Sequence, residues 1–208
     1  MACGLIGLPY GVLADSAGLT MAQAVALSVF TFAGSSQFAY VSVISGGGNP
    51  ATAVSGALLL AARNALYGPV VTPVLRGGLF RRAVAAQFLT DETTAMASAQ
   101  DEPNTAHDAF WFTGLAIMSL WVAGTVAGVL LGASLEDPGA WGLDAAFPAA
   151  FVALLVPHVV TRAGKVTALV GAVIALVAVP TTPAGVPILL AALAVGPGMA
   201  VAARRRSL

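Results

Sequence analysis

Polar and apolar positions along this chain do not alternate; they fall into blocks. Four runs carry no charged residue: Ser16–Ala62, Ala109–Leu135, Ala145–Thr161 and Val166–Ala203. Each can hold one or two helices of about 20 residues, the length that crosses about 30 Å of hydrocarbon. Gly46-Gly47-Gly48-Asn49-Pro50 breaks the first run and Pro180-Thr181-Thr182-Pro183 the last, both clusters of turn-forming residues. The pattern predicts seven spans, at roughly 1–14, 21–45, 51–75, 109–133, 142–162, 166–180 and 185–203. Arg81–Glu102 is too polar to cross, and its apolar residues Val84, Phe88, Leu89 and Met96 suit a helix lying against the bundle. The expected fold is all-α, a single polytopic membrane domain over residues 1–208. Its first half covers about 1–80, a polar connector about 81–108 and its second half about 109–203.

Composition agrees with this pattern. Hydrophobic residues make up 58% of the chain and charged residues 9%, with a mean hydropathy of +0.90. So few charges could not cover the surface of a soluble domain. Nine basic and nine acidic residues leave no basic face for nucleic acid. A single cysteine, Cys3, excludes an internal disulfide and any multi-cysteine metal site; neither a metal nor a cofactor is expected. The apolar run Leu5–Ala14, followed by Ser16 and Ala17, lacks the basic stretch that precedes the core of a secretory signal. Under the seven-span count Arg76, Arg81, Arg82, Arg162, Lys165, Arg204, Arg205 and Arg206 share one side. The positive-inside rule makes that side cytoplasmic. This predicts a multi-pass protein of the cell (inner) membrane with its C-terminus inside and its N-terminus outside. Arg63 alone fits neither side.

A shift of 121 residues aligns Gly7, Gly11, Gly18 and Phe30 with Gly128, Gly132, Gly139 and Phe151, and Asp15 with Glu136. Three spans separate the copies, so the expectation is an inverted repeat with substrate held between halves near the midplane, as in many transporters. On this alignment Ala109 maps upstream of Met1, predicting about 13 further residues ahead of it. The same shift pairs Gln37 with His158, next to Pro157. Proline cannot donate a backbone hydrogen bond and clashes one turn back, freeing the carbonyl of Ala153. Gly34-Ser35-Ser36-Gln37 interrupts the other copy at the same place. Backbone freed in a membrane must meet protein groups or a water-lined cavity, so Gln37 is expected to line such a cavity. Gly34 and Ser35 could equally serve close helix packing, and Gln37 or His158 a hydrogen bond between helices.

"GLPYG", "FAGSSQF", "ARNALYG", "LTDE" and "GLDAAFPAAF" follow one another from Gly7 to Phe151. In that order the chain resembles the AzlC-type permeases, the large subunits of branched-chain amino acid exporters. The resemblance implies export of Leu, Ile and Val, with Met as a further candidate, and a small hydrophobic partner of the AzlD type. Two positions depart from the family pattern. Asn64 stands where a His often follows the arginine, and Ala61 where an Asn often precedes it.

Arg63 lies about 18 Å up a helix from Leu75, at 1.5 Å per residue. An intramembrane cation should face a partner or water. Its planar fork suits the carboxylate of an amino acid, or a structural ion pair with Asp91, Glu92 or Asp144. Asp91 and Glu92 are adjacent, so one can face the bundle and carry a proton while the other is solvated. Asp144, just before Pro148, suits a helix start as well as a functional role. Candidate substrate-binding residues are Gly34, Ser35, Ser36, Gln37, Arg63 and Asn64. Coupling or gating candidates are Asp91, Glu92, Asp144, Pro157 and His158. Phe30, Phe38, Phe147 and Phe151 could supply apolar walls for aliphatic side chains. Two other classes compete with transport: a passive channel, and a serine hydrolase pairing Ser35 or Ser36 with His158.

Overall fold

The computed structural model describes residues 2–134 and 159–204, with 149, 152, 155 and 156 between them. Asp144, Phe147, Phe151, Pro157 and His158 lie outside the described residues, as do Glu136, Asp137 and the Arg205–Arg206 pair. All regular elements among the described residues are helical. Helix α1 is Ala2–Ser16, α2 Met21–Phe30, α3 Gly34–Ser45 and α4 Pro50–Ala62. A 3-10 stretch, Arg63–Tyr67, joins α4 to the short α5, Gly68–Val71. The connector holds α6, Leu79–Gln87, and α7, Asp91–Ser98, and leads into the long α8, Pro103–Gly132. After it come α9, Arg162–Ala178, α10, Val186–Ala191, and α11, Val195–Arg204.

Local sequence sets the helix starts. Thr20 and Gln23 form a reciprocal capping box at α2, with Gln23 Oε1 accepting the Thr20 N–H at 2.8 Å. Asn49 Oδ1 accepts the Thr52 N–H at 3.0 Å, and Pro50 opens α4 where no N–H is needed. Thr161 starts α9 in the same way, accepting from Gly164 N at 3.0 Å.

Among the described residues three helical stretches are long and apolar enough to cross a membrane: Pro50–Val71, Pro103–Gly132 and Val186–Ala203. α1 and α9, at 15 and 17 residues, are shorter. Leu66, Phe112 and Leu176 are at least three-quarters exposed. Apolar surface on this scale suits lipid rather than water.

The segment expected as one span at 21–45 folds as two half-length helices that double back. α2 starts beside the end of α1, passes Tyr10 (whose hydroxyl donates to the Ala24 carbonyl at 3.3 Å), then Thr125, and ends against Gln87. α3 starts at Trp121, against which Gly34 is packed, and climbs back until Val43 meets Gly48 and Gly185. At 1.5 Å per residue the two arms are about 15 and 18 Å long, half a hydrocarbon thickness. The reversal takes three residues: Thr31, Phe32 in the left-handed region at φ +35°, and extended Ala33.

This hairpin changes the direction of α1. Gly7 adjoins Trp121 and Gly124, Gly11 adjoins Gly128, and Asp15 adjoins Gly132. The contacts rise together, so α1 and α8 run in the same direction rather than in the opposed directions the inverted repeat required. The seam is close because both faces are glycine. A methyl group on Gly11 would lie 2.8 Å from the Val129 nitrogen and 2.9 Å from Gly128 Cα. The spacing Gly124-x3-Gly128-x3-Gly132, which suits association with another subunit, is filled by α1 of the same chain.

The ends of the bundle can be read from similar contacts. α9 and α11 are antiparallel, with Gly171 by Ala194 and Gly198 by Thr167, while Ile188 lies beside Gly56 so that α10 descends with α4. The turns at 17–20, 46–49 and 181–185 therefore share one end. Arg76, Arg81, Arg82, Arg162 and Lys165 collect at the other.

Candidate functional site

The tip of the α2–α3 hairpin is where buried polarity concentrates. Ser36 and Gln37 are 0% and 1% exposed and Ser35 is 8% exposed. Gln37 is held from two directions, both at its side-chain oxygen. Trp121 Nε1 donates to its side-chain oxygen at 2.9 Å, and Ser28 Oγ approaches the same oxygen at 3.3 Å. Ser28 Oγ also lies 2.9 Å from Thr125 Oγ1, which donates to the Trp121 carbonyl at 2.9 Å. Thr125 has one proton and gives it to that carbonyl, so the single Ser28 proton is shared between Thr125 Oγ1 at 2.9 Å and Gln37 Oε1 at 3.3 Å. An indole N–H can only donate, so the Gln37 atom facing it must be Oε1, which fixes the amide orientation. Its Nε2, with two N–H donors, is left buried and without a partner.

Ser35 Oγ and Ser36 Oγ are likewise buried and unpartnered, and so is Asn64 Oδ1. Leaving such a group unsatisfied in a dry interior costs about 1–3 kcal/mol. α3 and α4 pair antiparallel about the turn at 46–49, so Asn64 stands at about the height of the hairpin tip. Three donor-capable groups therefore lie on one helix, and one acceptor follows the helix paired with it. Four residues of the predicted substrate-binding set, Ser35, Ser36, Gln37 and Asn64, carry them. Gly34 serves packing: its Cα faces the ring of Trp121, and a methyl there would come within 2.7 Å of the indole.

Arg63, next to Asn64, is half-buried at the start of the 3-10 stretch. Asp91 and Glu92 are exposed in the first turn of α7, where the helix dipole favours acids. Among the described residues the only ion pair joins His107 and Asp108 at 3.3 Å, so Arg63 pairs with neither Asp91 nor Glu92. The inward-facing members of "LTDE" and its continuation are threonines. Thr93 Oγ1 donates to the Phe88 carbonyl at 2.8 Å, and Thr94 Oγ1 to the Thr90 carbonyl at 2.6 Å. Phe38 is buried in edge-on contact with Tyr10 and Trp121, whereas Phe30 is 79% exposed.

Sequence reasoning missed Ser28, Gln87, Trp121 and Thr125. Ser28 and Thr125 are polar residues inside charge-free runs, which is a signal. Nothing in the chain order connects Trp121 to Gln37, 84 residues away.

An apolar cavity of about 490 Å³ runs along the hairpin from Gly18 and Pro50, past Leu27 and Tyr40, to Phe30 and Thr31. It starts at the turn-bearing end of the bundle and reaches the last residues of α2, but Ser35, Ser36, Gln37 and Asn64 do not line it.

Comparison with known proteins gives this architecture a family. The AzlC protein family matches residues 1–135. The chain belongs to the AzlC family. It is 31% identical over 161 residues to an uncharacterised membrane protein of Archaeoglobus fulgidus, covering 76% of this chain and 69% of the relative. A Helicobacter pylori membrane protein, also uncharacterised, is 27% identical over 175 residues, 83% of this chain and 76% of its own. The branched-chain amino acid transport protein AzlC of Bacillus subtilis is 24% identical over 168 residues, 80% of this chain and 66% of its own. No solved structure matches the chain. As an AzlC-family protein with apolar spans, it is a membrane protein of a transport family.

Proposed function

We propose that this chain carries branched-chain amino acids across the cell membrane, with the substrate's polar head at the tip of the α2–α3 hairpin. The observation that carries this reading is the set of four buried, unpartnered polar atoms, Ser35 Oγ, Ser36 Oγ, Gln37 Nε2 and Asn64 Oδ1. An α-amino acid offers acceptors on its carboxylate and donors on its ammonium, and so complements both kinds. The apolar flank of the hairpin suits an aliphatic side chain, each buried methylene of which is worth about 0.8 kcal/mol. Such a wall separates Leu from Val only weakly.

The cation-bearing end of the bundle is cytoplasmic in this reading, which places the C-terminus inside. α1 then rises from the cytoplasmic side beside α8, and the hairpin enters from outside. Transport runs outward and is proton-coupled, with Asp91 and Glu92 as carboxylates that can load protons at the cytoplasmic end. Asp144, Pro157 and His158 are the further gating candidates. The name of the Bacillus subtilis relative supports the substrate class, and the AzlC-type resemblance supports a small AzlD-type subunit as partner.

Counterflow of labelled leucine in proteoliposomes, with and without a co-purified small subunit, tests the reading. Internal unlabelled leucine should drive uptake of the label, and valine and isoleucine should compete. Equal passage of unrelated solutes would show a channel instead, and no response to any branched-chain amino acid would overturn the substrate class.

A further inference from the structure

The two helix ends that meet at the hairpin tip are not equivalent. α2 ends there with its carbonyl groups, the negative end of its dipole, and α3 begins there with its N–H groups, the positive end. The α2 carbonyls are already occupied: Gln87 Nε2 donates to Val29 O at 2.6 Å and to Phe30 O at 3.0 Å. The first turn of α3 has nothing comparable. The Ala33 carbonyl accepts from the Ser36 and Gln37 N–H groups at 2.9 and 3.0 Å, but the Gly34 and Ser35 N–H groups ahead of them have no intrahelical acceptor, and Ala33 provides no side-chain cap. The side chains that follow, Ser35, Ser36 and Gln37, add two free hydroxyls and a free amide NH₂, all buried. Acceptors are capped and donors are open, so the tip is matched to an anion. Among the described residues no buried side chain carries a negative charge that would answer an ammonium group.

We infer that the first turn of α3, with Ser35 and Ser36 and the amide of Gln37, is the carboxylate subsite, and that it dominates recognition over the amino group. This inference rests on the transport reading above for the identity of the substrate. The helix dipole and N–H groups hold the carboxylate, and the serine hydroxyls turn to donate to it. Asn64 Oδ1, a neutral acceptor, is the group available to the ammonium. Removing the amino group then costs little affinity, whereas removing the carboxylate abolishes binding.

Trp121 reports on the site, since it packs on Gly34 and donates to Gln37. The test uses the full-length protein in lipid nanodiscs, with Trp111, Trp141 and any other tryptophan replaced by Phe. It is titrated with leucine, 4-methylpentanoate and 3-methylbutylamine while Trp121 fluorescence is followed. Leucine and 4-methylpentanoate should bind within about tenfold of each other and compete, and the amine should give no response. Ser36→Ala should weaken both acids by about tenfold, the scale of one hydrogen bond to a charged group. Ser36→Thr, which keeps the hydroxyl, should restore them, and Ser35→Ala provides a second variant should Ser36→Ala fail to fold. An amine that binds better than the acid, or carboxylate binding unmoved by both alanine variants, overturns the subsite. Silence of Trp121 toward every carboxylate does the same. Binding of 4-methylpentanoate without leucine would leave the subsite standing and remove the amino acid reading. Leucine binding that no carboxylate displaces would do the reverse.

Discussion

Gln37 shows how one side chain joins stability and function in this protein. Its oxygen satisfies Trp121 and Ser28, while its nitrogen is left open. Gln37→Leu should therefore do two separable things. It should strand the buried Trp121 N–H, lowering stability by about 1–3 kcal/mol, and it should remove a donor from the substrate. Adding Trp121→Phe deletes the stranded N–H, so the double variant should lose less stability than the two single losses combined. Thermal unfolding in detergent of the four proteins measures this coupling, and strict additivity would show that the hydrogen bond is not formed in solution. Arg63 is the contrasting case. It is half-buried with no acid beside it among the described residues. Arg63→Ala should therefore express as well as the parent, and Asp91→Asn or Glu92→Gln should leave its yield unchanged. Failure of Arg63→Ala to express, rescued by either neutralisation, would restore the ion pair that the sequence allowed.

At the level of elements, much was legible from residue pattern and some was inverted by it. The helical class and the turn at Gly46–Pro50 follow from charge-free runs and turn residues, and the structure has them. The polar interruption at Gly34–Gln37 was legible too, because serine and glutamine are costly in hydrocarbon wherever they sit. Its consequence was not. A break that lets a helix continue and a break that sends it back differ by the backbone of three residues, Thr31–Ala33, and composition does not encode that choice. The glycine spacing misled for a physical reason. Gly7 and Gly11 match Gly128 and Gly132 in a shifted alignment, but glycine every fourth residue is also what a close helix crossing needs on both faces. In the structure Gly7 and Gly11 pack against Trp121–Val129. Gly11→Ala would place Cβ 2.9 Å from Gly128 Cα, with backbone on all sides. It should destabilise the protein by about 1–3 kcal/mol, as overpacking does. Gly56→Ala, inside α4 with only Ile188 Cδ1 at 4.0 Å from the added carbon, should instead stabilise by about 0.5–1 kcal/mol through helix propensity. Equal effects of the two substitutions on unfolding temperature would rule out the seam.

For the whole molecule the hairpin decides which loops face which side. A continuous span over 21–45 puts the turn at 17–20 and the turn at 46–49 on opposite faces of the membrane. Two arms of about 15 and 18 Å cannot both cross about 30 Å of hydrocarbon in sequence and still return α3 to the end where it began. Here Gly18 and Pro50 line the same cavity mouth, and the cations at Arg76–Arg82 lie at the far end. With Cys3 replaced by serine, single cysteines at Gly18, Gly47 and Gly78 separate the two arrangements. Gly18 and Gly47 are in turns with open space around the added carbon, and so is Gly78; Gly18 and Gly47 have positive φ, so a small local strain is expected there but no clash. In intact cells a membrane-impermeant maleimide should label the cysteines at 18 and 47 and spare the one at 78 until the membrane is opened. The positive-inside rule sets that polarity, whereas the hairpin alone requires positions 18 and 47 to behave alike. Labelling of 78 with sparing of both others would reverse the orientation and leave the fold intact. Labelling of 18 without 47, or 47 without 18, would mean that residues 21–45 cross. The donors of Ser35, Ser36 and Gln37 would then sit in a continuous helix, where no open first turn exists to receive a carboxylate.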